Sequence, residues 1–232
     1  MKKTLISALV ATTFASAMFV PAALAYDKGD IVVRAGFTTV APDDSSTNII
    51  AGDDLGLGVT VDSNTQLGLN IAYFVTDKWN IELLAATPFS HDINFGIPDP
   101  LGTGDQLGKT KHLPPTITAN YFFNDPSAKF QPYAGIGVNY TVFFDEEFTG
   151  ANSEAGLADL DLDSSFGLSA QLGADYDIGD GIGINASIRY INIETEATFN
   201  LGSTAGNIDK VTIDPWVYTV SVAYTLEQES TL

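Results

Sequence analysis

The chain has 232 residues, 45% apolar and only 17% charged, with no cysteine and 29 acidic side chains against 10 basic ones. That length fits one domain, the absence of cysteine excludes disulfides and thiolate metal sites, and a formal charge of −19 argues against nucleic acid as a partner, since such a surface repels phosphates unless cations intervene.

The first segment reads "MKKTLISALVATTFASAMFVPAALA". Lys2 and Lys3 form a positive start, Leu5 to Val20 an apolar stretch, Pro21 a break, and Ala23-Leu24-Ala25 an A-x-A cleavage site. A membrane anchor would carry fewer Ser and Thr and end in a basic stop signal. The segment is therefore expected to be a secretory signal peptide, residues 1–25, leaving residues 26–232 as one mature domain. Loss of Lys2 and Lys3 takes the formal charge from −19 to −21. No later run of 18 apolar residues occurs, so a membrane crossing would need a closed sheet, which alone besides a helix satisfies every backbone group in lipid.

Eight period-two segments follow: Ile31 to Thr38, Gln66 to Val75, Trp79 to Thr87, Thr116 to Phe123, Tyr133 to Val142, Phe166 to Asp177, Ile182 to Ile193 and Trp216 to Leu226. Their connections alternate strictly. "TDK" (Thr76 to Lys78), "NDPSAKFQP" (Asn124 to Pro132) and "GDG" (Gly179 to Gly181) are short. Thr39 to Thr65, Pro88 to Pro115, Phe143 to Ser165 and Glu194 to Pro215 are long, and carry five, three, seven and four of the 29 acids. Short turns on one side and long acidic loops on the other are the pattern of an eight-stranded, antiparallel, up-and-down transmembrane β-barrel.

Sidedness supports this. One row of each strand is apolar and uncharged, for example Leu67, Leu69, Ile71, Tyr73 and Val75, or Leu168, Ala170, Leu172, Ala174 and Tyr176; these rows are expected to face hydrocarbon. Tyr73, Trp79, Tyr121, Phe123, Tyr176 and Tyr224 fall near the short turns, and Tyr140, Phe143, Phe144, Trp216 and Tyr218 near the long loops, as two aromatic girdles.

Parity turns several glycines, Asn70, Asn120, Asn139, Gln171, Asn185 and Arg189 inward, with Arg34, Glu82 and Asp175 at similar depth as a periplasmic charge plug. Phe74, Leu84, Phe122 and Val217 also point inward. They serve equally as plain core filling or as the lining of a greasy conduit, because an eight-stranded interior is just wide enough for side chains or one slim ligand. Phe89, Ile93, Phe95, Leu113, Pro114 and Pro115 form either an apolar vestibule or a loop-packing cluster at the mouth.

The segments "ELLAATPFSH" (Glu82 to His91), "KHLPPT" (Lys111 to Thr116), "KFQPYAGIGVNYTVFF" (Lys129 to Phe144), "EAGLADLDLDSSFG" (Glu154 to Gly167) and "DPWVYTVSVAY" (Asp214 to Tyr224) resemble the OmpW family of small outer-membrane proteins over essentially the whole mature chain. The resemblance implies a monomeric barrel in the outer membrane of a Gram-negative bacterium, set among lipids and lipopolysaccharide. It implies a narrow channel that passes small hydrophobic molecules inward, with release sideways into the membrane, or, alternatively, a filled structural barrel serving as a phage or colicin receptor. It places Leu84 and Phe166 at a channel constriction. Parity agrees for Leu84, but turns Phe166 outward unless a bulge intervenes. The chain also runs past Leu226 with "EQESTL", where barrels of this kind finish on an aromatic; Tyr224 or Leu226 is the internal substitute.

His91 and His112, the only histidines, bracket the second long loop. Acyl transfer with one of the two as base for a serine, Ser90 and Asp92 lying beside His91, or a metal bound by the pair, is weighed against hydrogen bonding at the mouth, which the lack of a third convergent ligand favours. "DLDLDSS" (Asp159 to Ser165) fails the calcium-loop pattern at Ser164 and Ala170. It reads better as a strand with Leu160 and Leu162 on one face and Asp159, Asp161 and Asp163 on the other, which leaves open loose binding of divalent cations bridging to lipopolysaccharide phosphates. No catalytic residue, metal site or cofactor is expected.

Overall fold

The computed structural model describes residues 26–98 and 100–227; the expected signal peptide and the residues after Glu227 lie outside the described residues. Eight antiparallel strands form β1 (Ile31–Ala41), β2 (Asn64–Phe74), β3 (Trp79–Ala86), β4 (Thr116–Phe122), β5 (Phe130–Phe148), β6 (Ser165–Gly179), β7 (Ile182–Ile191) and β8 (Trp216–Leu226). Each pairs with the next, and β1 closes on β8 in unbroken register from Ile31↔Leu226 to Ala41↔Trp216. Closure leaves the barrel without an edge, so its backbone groups are satisfied inside the wall, as hydrocarbon requires.

The alternation that forms these strands is also what inverts them. Ile136 is 75% exposed and Leu168 68%, while Arg34 is 1% exposed and Phe74 fully buried. The apolar rows thus cover the outer wall, and polar side chains such as Thr118, Asn120, Asn139 and Gln171 fill the inside. Trp79, Tyr121 and Phe123 contact in sequence near the short turns, tilted and then edge to face, with ring centroids 5.0 and 5.4 Å apart, and Tyr190 and Trp216 pair at 5.4 Å near the other end. Phe143 departs from the expected upper girdle: it is buried, because β5 continues above the girdle and turns this ring into the interior.

The short connections are tight. Thr76 Oγ1 accepts from the backbone N–H groups of Lys78 and Trp79 at 3.2 and 3.0 Å, and Gly179, Asp180 and Gly181 all take positive φ in the β6–β7 hairpin.

The long connections, expected as loops, are mostly sheet. Phe89–Phe95 and Gln106–Leu113 form a hairpin, the second strand of which pairs with the top of β5, while Val59–Val61 pairs with Phe89–Phe95. On the other side, Leu157–Leu162, Glu194–Leu201 and Thr204–Thr212 build a separate sheet with short strands at Ser45–Ser46, Ile50–Ala51 and Asp53–Asp54. Leu160 and Leu162 pack inward and Asp161 and Asp163 stay in water, so the period of two runs on above the membrane. Among the described residues no backbone ladder joins the top of β5 to Leu157–Leu162, and the register shifts on both sides of this seam, between Phe144 and Glu147 and between Ala158 and Asp161.

Candidate functional site

The interior divides into a charged and aromatic floor and an apolar upper chamber. In the floor, Arg34 on β1 grips Asp175 on β6 with two bonds, Nη2 to Oδ2 at 2.6 Å and Nε to Oδ1 at 3.1 Å, and reaches Glu82 on β3 through Nη1 at 3.0 Å. Arg189 on β7 donates to the other Glu82 oxygen at 2.6 Å, and Gln171 is held between Glu82, Asn120 and Arg189. Tyr26 donates to Asp175 at 2.6 Å, as does Asn185 at 2.7 Å. Two guanidinium groups thus meet two carboxylates with their remaining lone pairs filled, which is the condition under which buried charge is tolerated.

The expected plug of Arg34, Glu82 and Asp175 is found together. Arg189 was missed as its fourth member. Charge counting points to it, since one cation against two buried carboxylates leaves a net negative interior and Arg189 is the remaining inward arginine. Tyr26 and Tyr133 were also missed: Tyr26 lies before the first alternating segment, and Tyr133 opens its segment with the same parity as the inward Asn139, a signal that was available.

Phe74 and Phe122, expected to line a channel, belong instead to this floor. Tyr26 stacks on Phe74 at 4.3 Å, and Phe122 lies 5.1 Å from Phe74 and 5.0 Å from Tyr133. They sit beside the short turns where the barrel needs closing, so their rings pack on one another and leave no passage between them. Gly173 makes room for this layer: a Cβ there would stand 2.4 Å from the Tyr133 ring. Leu84 is buried one inward position above Glu82 on β3, at the upper limit of the charged layer.

Above, Val217, Val40, Phe89, Ile93, Phe95, Leu107 and Phe143 join one apolar cluster that unites both extracellular sheets. It encloses a cavity of about 30 Å³, bordered by Val59, Ile93, Phe143 and His112 from one sheet and by Leu160, Leu162, Ala197 and Ile208 from the other. That is room for a water or two. Phe89, Ile93 and Phe95 take their expected inward positions, and Pro114 is buried. Leu113 and Pro115 do not join them. Leu113 shares the outward face of Lys109 and Lys111, and Pro115 is exposed, because alternation along Gln106–Leu113 gives the inward places to Thr110 and His112. Phe166 is 70% exposed on the outer wall, as its parity demands, so the constriction position implied by the resemblance fails for it.

His91 and His112 come together in the chamber. The hairpin sets Phe89 opposite His112 and His91 opposite Thr110, which leaves the two imidazoles parallel, 4.8 Å apart and inclined by 3°. Nδ1 of His91 bonds the backbone carbonyl of Asp62, and the Nε2 atoms of both rings are buried without a protein partner. Burial pushes both below the usual imidazole range, His112 to about 3 with help from the neighbouring ring, so both are neutral at pH 7. At the seam, burial raises the Glu146 carboxyl above its ordinary range, with Asp161 and Asp145 adding to the shift.

The OmpW family model matches residues 27–226. Outer membrane protein W of Vibrio cholerae is 44% identical over 97% of this chain and 99% of its own length, and that of Escherichia coli 43% identical over the same shares. The crystal structure of the outer membrane protein OprG from Pseudomonas aeruginosa is similar with a TM-score of 0.82 and 37% identity, covering 89% of this chain and all of that one. An inside-out closed barrel and nearly full-length similarity lead to one conclusion: the chain belongs to the OmpW family and is an eight-stranded β-barrel of the Gram-negative outer membrane.

Proposed function

We propose that this barrel is a passive conduit for small hydrophobic molecules, which pass through the apolar chamber above the membrane and leave sideways. One observation carries the reading: the chamber lies at a seam between two sheets that share no backbone ladder, directly above a floor closed by ion pairs and stacked rings. An apolar solute gains by leaving water for the chamber, whereas crossing the floor would require it to break charge-assisted bonds in a dry interior. The concentration gradient drives the flow and no cofactor takes part. Leu84 marks the lower end of the route, and the lipid-facing wall offers an apolar groove bordered by Ala119, Ile136, Leu168, Ala170 and Tyr190 on the outer surface of β4 to β7.

Ala197→Trp fills the chamber from the extracellular sheet without touching a membrane strand. Uptake of an apolar fluorescent tracer into liposomes carrying this variant is expected to fall at least ~10-fold, with heat-modifiable barrel mobility retained; the overpacking costs about 1–3 kcal/mol. Unchanged uptake refutes the conduit. It would favour the filled-barrel alternative, in which the acidic loops are the working surface for a phage or colicin.

A further inference from the structure

The chamber is apolar apart from Thr110, whose hydroxyl donates to the Lys111 carbonyl at 3.3 Å, and one pair of side chains. His91 and His112 present two buried Nε2 atoms there, each without a protein partner, and a group left so costs free energy comparable to a lost hydrogen bond. Their chemistry can be assigned. The Asp62 carbonyl only accepts, so His91 Nδ1 carries the proton, and the Nε2 of the neutral ring is a bare lone pair. What the chamber lacks at His91 is a hydrogen-bond donor.

Charge narrows the class of donor. No titratable group other than the two histidines borders the chamber from any of the strands that enclose it. The Asp62 and Asp92 carboxylates exert a Coulombic pull on His91, but neither borders the cavity. An ammonium would therefore enter a dry apolar site with no counter-charge, at a cost that a single hydrogen bond does not offset, and a carboxylate has no proton to give. A neutral hydroxyl fits: it donates to His91 and its oxygen still accepts from an imidazole N–H at His112.

We propose that the stacked His91–His112 pair is a hydroxyl-recognition site, selecting neutral alcohols and phenols from among small hydrophobic molecules. This deepens the conduit reading and rests on it for its biological sense. A cavity of about 30 Å³ takes the hydroxyl but not a ring, so the hydrocarbon body lies toward the unladdered seam, where Phe143, Leu160 and Leu162 border the same cavity. A site built around a hydrogen bond discriminates by rejecting the analogue that leaves its buried polar group unpaired.

The test is equilibrium binding of phenol and of benzene to the full barrel in nanodiscs, read from the imidazole nitrogen resonances, and it stays readable whether or not the barrel carries flux. Phenol is expected to move the His91 Nε2 resonance saturably and to bind at least ~10-fold more tightly than benzene. In His91→Phe, which keeps an aromatic ring in place, that preference is expected to vanish. Equal binding of phenol and benzene to the unaltered protein overturns the proposal while leaving the conduit intact. So does a preference that survives His91→Phe, or an Nε2 atom that holds a water which phenol does not displace.

Discussion

The floor and the upper chamber solve the same problem, filling a narrow cylinder, with opposite chemistry. In the floor the charged groups are tied to one another across the barrel: Arg34 to Asp175 and Glu82, Arg189 to Glu82, with Tyr26 donating to Asp175. In the chamber, aliphatic and aromatic side chains close over two imidazoles that bond little. The floor is thus specific, since any shift breaks several charge-assisted bonds at once, while the chamber is held mainly by non-directional contacts and its two sheets meet without a backbone ladder. The proposed conduit, shut to ions and open to apolar solutes, would need both.

Four measurements sharpen this contrast. The largest effect is expected from Arg34→Met, which leaves Asp175 and Glu82 short of a cation and should cost about 3–5 kcal/mol in urea unfolding of the lipid-embedded barrel; a cost under about 1 kcal/mol would mean that water reaches the floor.

Next is the acid response of the chamber. Both imidazoles are held below the unfolded value of about 6.5, so the unfolded hairpin takes up protons first as the pH falls. Hydrogen-exchange protection of Phe89–Phe95 and Gln106–Leu113 is therefore expected to be level above pH ~6.5 and to drop below it toward the folded value of His112, about 3, with a slope of at most about 1.4 kcal/mol per pH unit for each histidine. His112→Phe should remove that histidine's share of the slope, leaving only the part due to His91.

Tyr26→Phe keeps the stack on Phe74 and removes only the bond to Asp175. A loss of about 1–2 kcal/mol is expected, measured by the same urea titration. Smallest is Lys111→Ala, which breaks an exposed pair with Asp145 at 3.0 Å and should change stability by less than about 1 kcal/mol; a larger value would show that the rim braces the seam.

The histidine pair shows why some of the site was hidden. His91 and His112 are separated by most of a connection that reads as a loop, and nothing at either position alone indicates a partner. The signal available was the alternation Phe89, His91, Ile93, Phe95 against Thr110 and His112, which marks a hairpin with one inward face. Phe166 teaches the converse, since its own parity was the better guide to its side of the wall than its place in a family motif. Leu113 and Pro115 differ from expectation for a related reason: apolar character at the mouth does not fix direction, whereas the register of Gln106–Leu113 does.

The amino-acid sequence by itself determined the number of barrel strands, their order, and which row of each meets lipid, because a period of two is a local property and the inverted polarity admits only one solvent arrangement. It also placed Arg34, Glu82 and Asp175 at a common depth. Only the tertiary structure decided which side chains from different strands touch: the fourth charge of the floor, the rings of Tyr26 and Phe74 beneath it, the stacked imidazoles and the unladdered seam. Those contacts depend on barrel stagger and on the register of the extracellular hairpins, which arise from closure of the whole sheet and are written in no single strand.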